Sequence, residues 1–319
     1  MKLQTEIPLN PEENQLDYAS KILLLGSCFS ENIGAKFDFY KFQNLQNPFG
    51  VIFNPISLEK LVIRAMENLP FSEENIFQHQ GIWKCFEAHS ELSSLDKNEF
   101  LENLNSSLQN LREALFSSTH IIFTYGTSWV YKHIESGEIV ANCHKLPQKD
   151  FKKELLSIET ISKSIQNTIE KISAINPNVS IISTVSPVRH IKDGFTENSL
   201  SKAHLLSAIH HSVQQPSATN HQQKYFPAYE IMMDELRDYR FYAEDMLHPN
   251  KTAIEIIWQK FSHVWISSKT ETLQKEIASI QAGLNHKPFN PESAEHIKFL
   301  ANLQQKIIAV QQQFQHILF

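Results

Sequence analysis

The chain has 319 residues, 41% of them hydrophobic, and a formal net charge of −6, which suits one large domain with appendages or two small ones. No apolar run is long enough for a membrane-spanning helix, and the mixed charges form no basic stripe that could follow a phosphate backbone, so nucleic acid is not an expected partner. Residues 1–17 lack the pattern of a secretory leader, and three cysteines, Cys28, Cys85 and Cys143, are too few and too scattered for a disulfide framework; a cytoplasmic location is the expectation.

In chain order, residues 22–25 form an apolar run ended by Gly26, and 30–37 carry apolar residues at helical spacing, which predicts strand, tight turn and helix. The turn-rich Asn47-Pro48-Phe49-Gly50 leads to a second strand near 51–53 and a helix over 57–67. A strand pair around 82–91 and a helix over 97–116, within 71–118, read as an insertion between core strands. Residues 120–125 predict a buried strand ending at Gly126, and 129–134 with 138–143 a hairpin around Ser136-Gly137. A long amphipathic stretch, 152–175, stops at Asn176-Pro177. A strand over 179–185, a helix over 199–213, a polar Gln/Asn/His/Ser loop at 214–223, a segment at 225–233 and a core helix over 251–265 complete the pattern.

Apolar strands alternating with helices predict an α/β fold with a parallel sheet covered on both faces. Domain organisation is expected as 1–266 followed by a Gln-rich helical hairpin, 267–319, that packs on the core or mediates self-association as a homo-oligomer. In such a sheet ligands bind beyond the carboxyl ends of the strands, which selects Gly26 to Phe29, Gly50, Gly126 to Ser128 and Ser186 to His190.

The run Gly26-Ser27-Cys28-Phe29, with Asn47-Pro48-Phe49-Gly50, Gly126-Thr127-Ser128-Trp129, Asn142-Cys143-His144-Lys145, Ser186-Pro187-Val188-Arg189-His190 and Asp245-Met246-Leu247-His248-Pro249, resembles the GSCFA family, itself related to the SGNH hydrolases. The resemblance spans about 21–265. It implies a three-layer, flavodoxin-like α/β/α fold and hydrolysis or transfer of an acyl group through a covalent acyl-enzyme. The SGNH nucleophile is the serine of Gly-Asp-Ser-Leu. Aligned by the strand end, Cys28 falls on that serine and Ser27 on the aspartate, whereas a one-residue shift makes Ser27 the nucleophile. A thiol at a helix N-terminus near a histidine is expected to have a lowered pKa and would favour transfer or thioester chemistry. Without the resemblance, Cys28 reads as a small buried hydrophobe and Ser27 as a helix cap.

Asp245 and His248 match the Asp-x-x-His that supplies orienting acid and general base in SGNH enzymes. The main chain at Cys28 or Ser27 and at Gly50 is a candidate oxyanion donor. The family pattern's Gly-x-Asn becomes Gly126-Thr127-Ser128, with Ser128 in the asparagine's place and Asn142 as a possible substitute. Arg189 and His190 are candidates for binding a polar or anionic part of the substrate, a small-molecule, carbohydrate or lipid acyl ester. Cys143, His144, His190 and His248 show no recognised ligand spacing, so neither metal nor cofactor is expected. The competing expectation is a catalytically silent ligand-binding module on the same fold.

Overall fold

The structure, a computed structural model, describes residues 5–214 and 223–319; the polar loop expected at 214–223 lies almost wholly outside the described residues. The first apolar run is β1 (Lys21–Gly26), and α1 (Cys28–Phe39) starts at once, capped by the Ser27 hydroxyl. β2 is Gln43–Gln46, earlier than the strand expected near 51–53. It is a half-buried edge strand pairing with β1 from Lys21↔Gln43 to Leu24↔Gln46, so its residues need not be apolar. α2 (Pro55–Met66) begins behind an Asn54 cap with proline in the first turn. β3 (Phe77–His79) and β4 (Ile82–Lys84) meet through Gln80 and Gly81, both at positive φ, which places this hairpin ahead of the expected 82–91.

α3 (Lys97–Ser117) leads into β5 (His120–Tyr125). β6 (Trp129–His133) and β7 (Ile139–Val140) form the expected hairpin. β8 (Phe151–Leu155) adds a third strand to them, from His133↔Phe151 to Trp129↔Leu155, where the sequence suggested a helix from 152. Pairing with β6 overrides the helical pattern there, and α4 (Ile158–Ile175) begins only after Ser157, which caps Thr160. Then come β9 (Ser180–Val185), α5 (Phe195–Gln214), β10 (Gln223–Tyr225) and α6 (Ala228–Glu230), which continues as a π-turn over Ile231–Leu236. α7 (Lys251–Trp265), capped by Asn250, precedes α8 (Glu271–Leu284) and α9 (Ala294–Gln313).

The central sheet runs β2-β1-β5-β9-β10 with every pairing parallel, the flavodoxin-like doubly wound order. Successive residues of its strands feed opposite layers. Leu23, Leu25, Ile121, Phe123 and Ile181 pack with α2, α3, α4 and α5, while Ile22, Leu24, Ile122 and Ile182 pack with α1, α7, α8 and α9. The result is a three-layer α/β/α fold. α3 buries Phe100, Leu104, Leu108, Leu111 and Leu115 in the first layer, so the β3–β4 hairpin, rather than the helix, is the addition to the layered core. The C-terminal hairpin shares the second core through Ile277, Ile280, Leu303, Ile307 and Val310. Among the described residues, no helix is long and apolar enough to cross a membrane.

Candidate active site

The carboxyl ends of β1, β5 and β9 lie side by side, and the close fit begins at Gly26. Its φ is +141°, and a Cβ there would stand 2.2 Å from the Thr124 carbonyl oxygen, so only glycine fits. The chain then turns so that the Ser27 N–H donates to that same oxygen at 3.0 Å. Ser27 is 1% exposed, and its Oγ accepts the Phe29 N–H at 3.2 Å. Cys28, the first residue of α1, is partly exposed. Its thiol pKa is raised, contrary to the sequence expectation. Burial is the main cause, with the Glu31 carboxylate adding to it, and together they outweigh the backbone N–H groups of Cys28 and Phe29 and the Lys202 ammonium.

Asp245 and His248 are held as one unit. Asp245 Oδ1 accepts the N–H groups of Leu247 at 2.9 Å and His248 at 3.0 Å, and Oδ2 meets His248 Nδ1 at 2.5 Å. These contacts, the backbone amides first, hold the Asp245 carboxyl down at about 2. Both side chains are 45% exposed.

His248 lines a cavity of about 560 Å3 that also receives Arg189, His190, Asn142, Cys143 and Trp129. His190 stacks on Phe53 with ring centroids 5.1 Å apart, and its pKa is pushed down to about 3, first by burial and then by the positive charges of Lys202 and His248. Its backbone N–H is fixed by Asn198 Oδ1 at 2.8 Å. Arg189 lies over the rings of Phe195 and Tyr242 and reaches the Met246 carbonyl. Cys28 is outside this cavity's lining and is connected to it electrostatically, since Lys202 acts on both Cys28 and His190.

The remaining sequence candidates occupy different settings. The Gly50 N–H closes a turn onto the Asn47 carbonyl at 2.7 Å, with φ +73° and no room for a Cβ beside His89. The Gly126 N–H donates to the Phe53 carbonyl. Ser128 is fully buried, its N–H and hydroxyl both engaged by Ser201. Asn142 faces the cavity, while its Oδ1 accepts the His144 N–H at 2.7 Å. His144, at φ +50° beside Lys145 at φ +61°, is buried, with Nε2 against the Cys85 carbonyl and Nδ1 against Ser90. Burial, above all, pushes its pKa down to about 4. Its place is in the wall of the cavity. Among the described residues, no group of three or more His, Cys, Asp or Glu side chains could hold a metal ion.

Sequence reasoning passed over Lys202. It is 1% exposed on α5, and its Nζ donates to the Gly126 and Ser186 carbonyls at 2.7 Å each. A lysine inside an amphipathic helix carries no sign of burial, so no sequence signal marked it.

The GSCFA family model matches residues 21–261, and the model of the GSCFA domain protein C-terminal domain matches 277–319. The chain belongs to the GSCFA family. The first match contains all the candidate site residues above, and the second coincides with most of α8 and α9 in this GSCFA protein. No curated protein matches the chain. One similar solved structure is an acetyl xylan esterase (Est2A) from the rumen bacterium Butyrivibrio proteoclasticus, at 11% identity and a TM-score of 0.42, covering 78% of this chain and 64% of that one. The GSCFA chain thus spans less than two thirds of that esterase's length.

Proposed function

We propose that this GSCFA protein is an acyl-ester hydrolase or O-acyltransferase that works through an acyl-enzyme on Cys28. The observation that carries the reading is the Asp245–His248 unit: a carboxylate fixed by two backbone amides holds Nδ1 at 2.5 Å, on a histidine that lines a cavity. That arrangement sets the tautomer and leaves Nε2 as the base. Cys28 Sγ attacks the ester carbonyl while its proton passes to His248 Nε2. His248 returns that proton to the departing alcohol. Water or an acceptor hydroxyl, deprotonated by His248, then displaces the acyl group and the thiol reforms.

The raised thiol pKa fits a nucleophile deprotonated during attack rather than stored as thiolate. The commitment of the Ser27 hydroxyl to the helix cap supports Cys28 over Ser27. Since the amides of Gly50 and Gly126 are used within the fold, the Cys28 N–H and the Asn142 side chain are the oxyanion donors in this reading. Arg189, in the cavity lining, binds a polar or anionic part of the substrate.

The second reading, a silent ligand-binding module, draws on the position of Cys28 outside the cavity lining. Mass spectrometry after exposure to aryl esters and thioesters separates the two. An acyl adduct on Cys28, with turnover lost in Cys28→Ala, is the expected result; no adduct and no turnover with any acyl donor leaves the binding module.

A further inference from the structure

The chain carries a net charge of −6, yet the cavity beside His248 has the opposite sign. Lys145, Arg189 and Lys192 line it, and among the described residues Asp193 is the one carboxylate in that lining. Asp193 is already paired with Lys153 of β8. The three cations have no carboxylate partner among the described residues. Arg189 is strapped to the loop that bears His248: its backbone N–H donates to the Leu247 carbonyl at 3.1 Å, Nη1 meets the Met246 carbonyl at 3.4 Å, and the guanidinium lies over Phe195 and Tyr242. Lys192 belongs to the short turn Ile191–Asp193 that follows, and Lys145 lies between β7 and β8. Lys145 sits at φ +61° directly after His144 at +50°, a left-handed pair that glycine would adopt without strain. Two neutral donors of the lining, by contrast, are engaged within the fold: Trp129 Nε1 donates to the Glu197 carbonyl at 3.2 Å, and Thr127 Oγ1 is 3.0 Å from Ser201 Oγ.

We infer that the substrate of this cavity is an anionic ester, whose carboxylate or phosphate is received by Arg189, Lys192 and Lys145 while its ester group lies toward His248. A small, negatively charged molecule supplies the counter-charge that the three side chains lack within the fold. The cavity, of about 560 Å3, falls in the size range of small-molecule sites. Its apolar lining, which includes Val51, Val188 and Leu247, lowers the local dielectric and strengthens the attraction beyond that of an open surface. The planar fork of arginine matches either oxyanion group with two parallel bonds, and the two lysines add charge without a fixed geometry. The ester is thereby held by a part remote from the bond that breaks, and an uncharged ester of the same shape forfeits that hold.

The anion site rests on the acyl-ester reading above, but its test requires no turnover. Isothermal titration calorimetry compares three ligands that share an acetamidophenyl body and contain no ester: 4-acetamidobenzoate, 4-acetamidophenyl phosphate and the uncharged 4-acetamidobenzamide. The better of the two anions should bind about tenfold more tightly than the amide at low salt and lose most of that advantage at about 0.5 M salt. Which anion binds better identifies the group as carboxylate or phosphate. In the double variant Lys145→Gln, Lys192→Gln, changed at two exposed positions, the advantage should shrink by about three- to tenfold. Arg189→Gln should shrink it by about tenfold. Lys163→Gln, an exposed change on α4 outside the cavity lining, should leave it intact and so controls for net charge. Equal affinities for anion and amide, no binding of either anion, or an advantage that survives in both the double variant and Arg189→Gln would overturn the assignment. Anion binding in a protein that forms no acyl adduct sinks the enzyme reading alone, and turnover of aryl acetates without any preference for the anions sinks the anion site alone.

Discussion

Replacing Asp245 with asparagine separates the two tasks of this carboxylate. Oδ1 accepts two backbone N–H groups and Oδ2 holds His248 Nδ1. The asparagine carbonyl can keep both backbone bonds, so the loop retains its shape, but an N–H now points at Nδ1. Nδ1 must accept, the ring proton moves to Nε2, and the base loses the lone pair it needs. In triad enzymes that exchange lowers kcat on the order of 10^4-fold, and here the half-exposed pair weakens the charge component, so a fall of roughly 10^2- to 10^4-fold is expected. Stability should change by less than about 1 kcal/mol, because solvent screens the pair. The depressed Asp245 pKa, about 2, means that its contribution is intact above the ordinary carboxylate range and is lost only as the pH falls toward that value. Initial rates on an aryl acetate from about pH 5 to about pH 9, beside a circular-dichroism melt, test the reasoning. Wild-type turnover in Asp245→Asn would refute the orienting role, and an unfolded variant would make the carboxylate structural.

Ser27→Ala should remove the α1 cap, costing about 1 kcal/mol in denaturant unfolding while the acyl adduct stays on Cys28; loss of the adduct in a folded variant would transfer the nucleophile to Ser27. Gly26→Ala places a methyl 2.2 Å from a backbone oxygen at φ +141° and should destabilise the chain by about 3 kcal/mol or more, with a change below about 1 kcal/mol in chemical denaturation contradicting the packing described. His190 and His144, neutral in the fold with pKa values of about 3 and about 4, contribute stability that is complete above the ordinary histidine range and declines as the pH falls through it. His190→Phe keeps the stack on Phe53 and deletes one of these contributions, so its melting temperature should fall less steeply than wild type between about pH 7 and about pH 5; an equal slope would show that His190 is not held neutral.

Much of this arrangement was legible because it is local. Gly26 after an apolar run, the cap at Ser27, the hairpin at Ser136-Gly137 and the three-residue spacing from Asp245 to His248 each concern neighbours in sequence, where periodicity and turn chemistry carry the information. Elements decided by distant partners were hidden. β2 is a strand because β1 offers it an edge, and β8 because β6 does, although Gln43–Gln46 lacks an apolar run and 152–155 fits a helical pattern. The site divides in the same way. The identity of Cys28 and its place at a helix start could be read, but the sign of its pKa shift could not. That sign depends on how deeply α1 is buried, which with the Glu31 carboxylate outweighs Lys202, 174 positions away on α5. Proximity to a helix N-terminus suggested a ready thiolate, whereas burial with the nearby Glu31 charge dominates in the fold. A nucleophile held as a thiol needs its base at the moment of attack, so the Asp245–His248 unit becomes more necessary to the proposed chemistry.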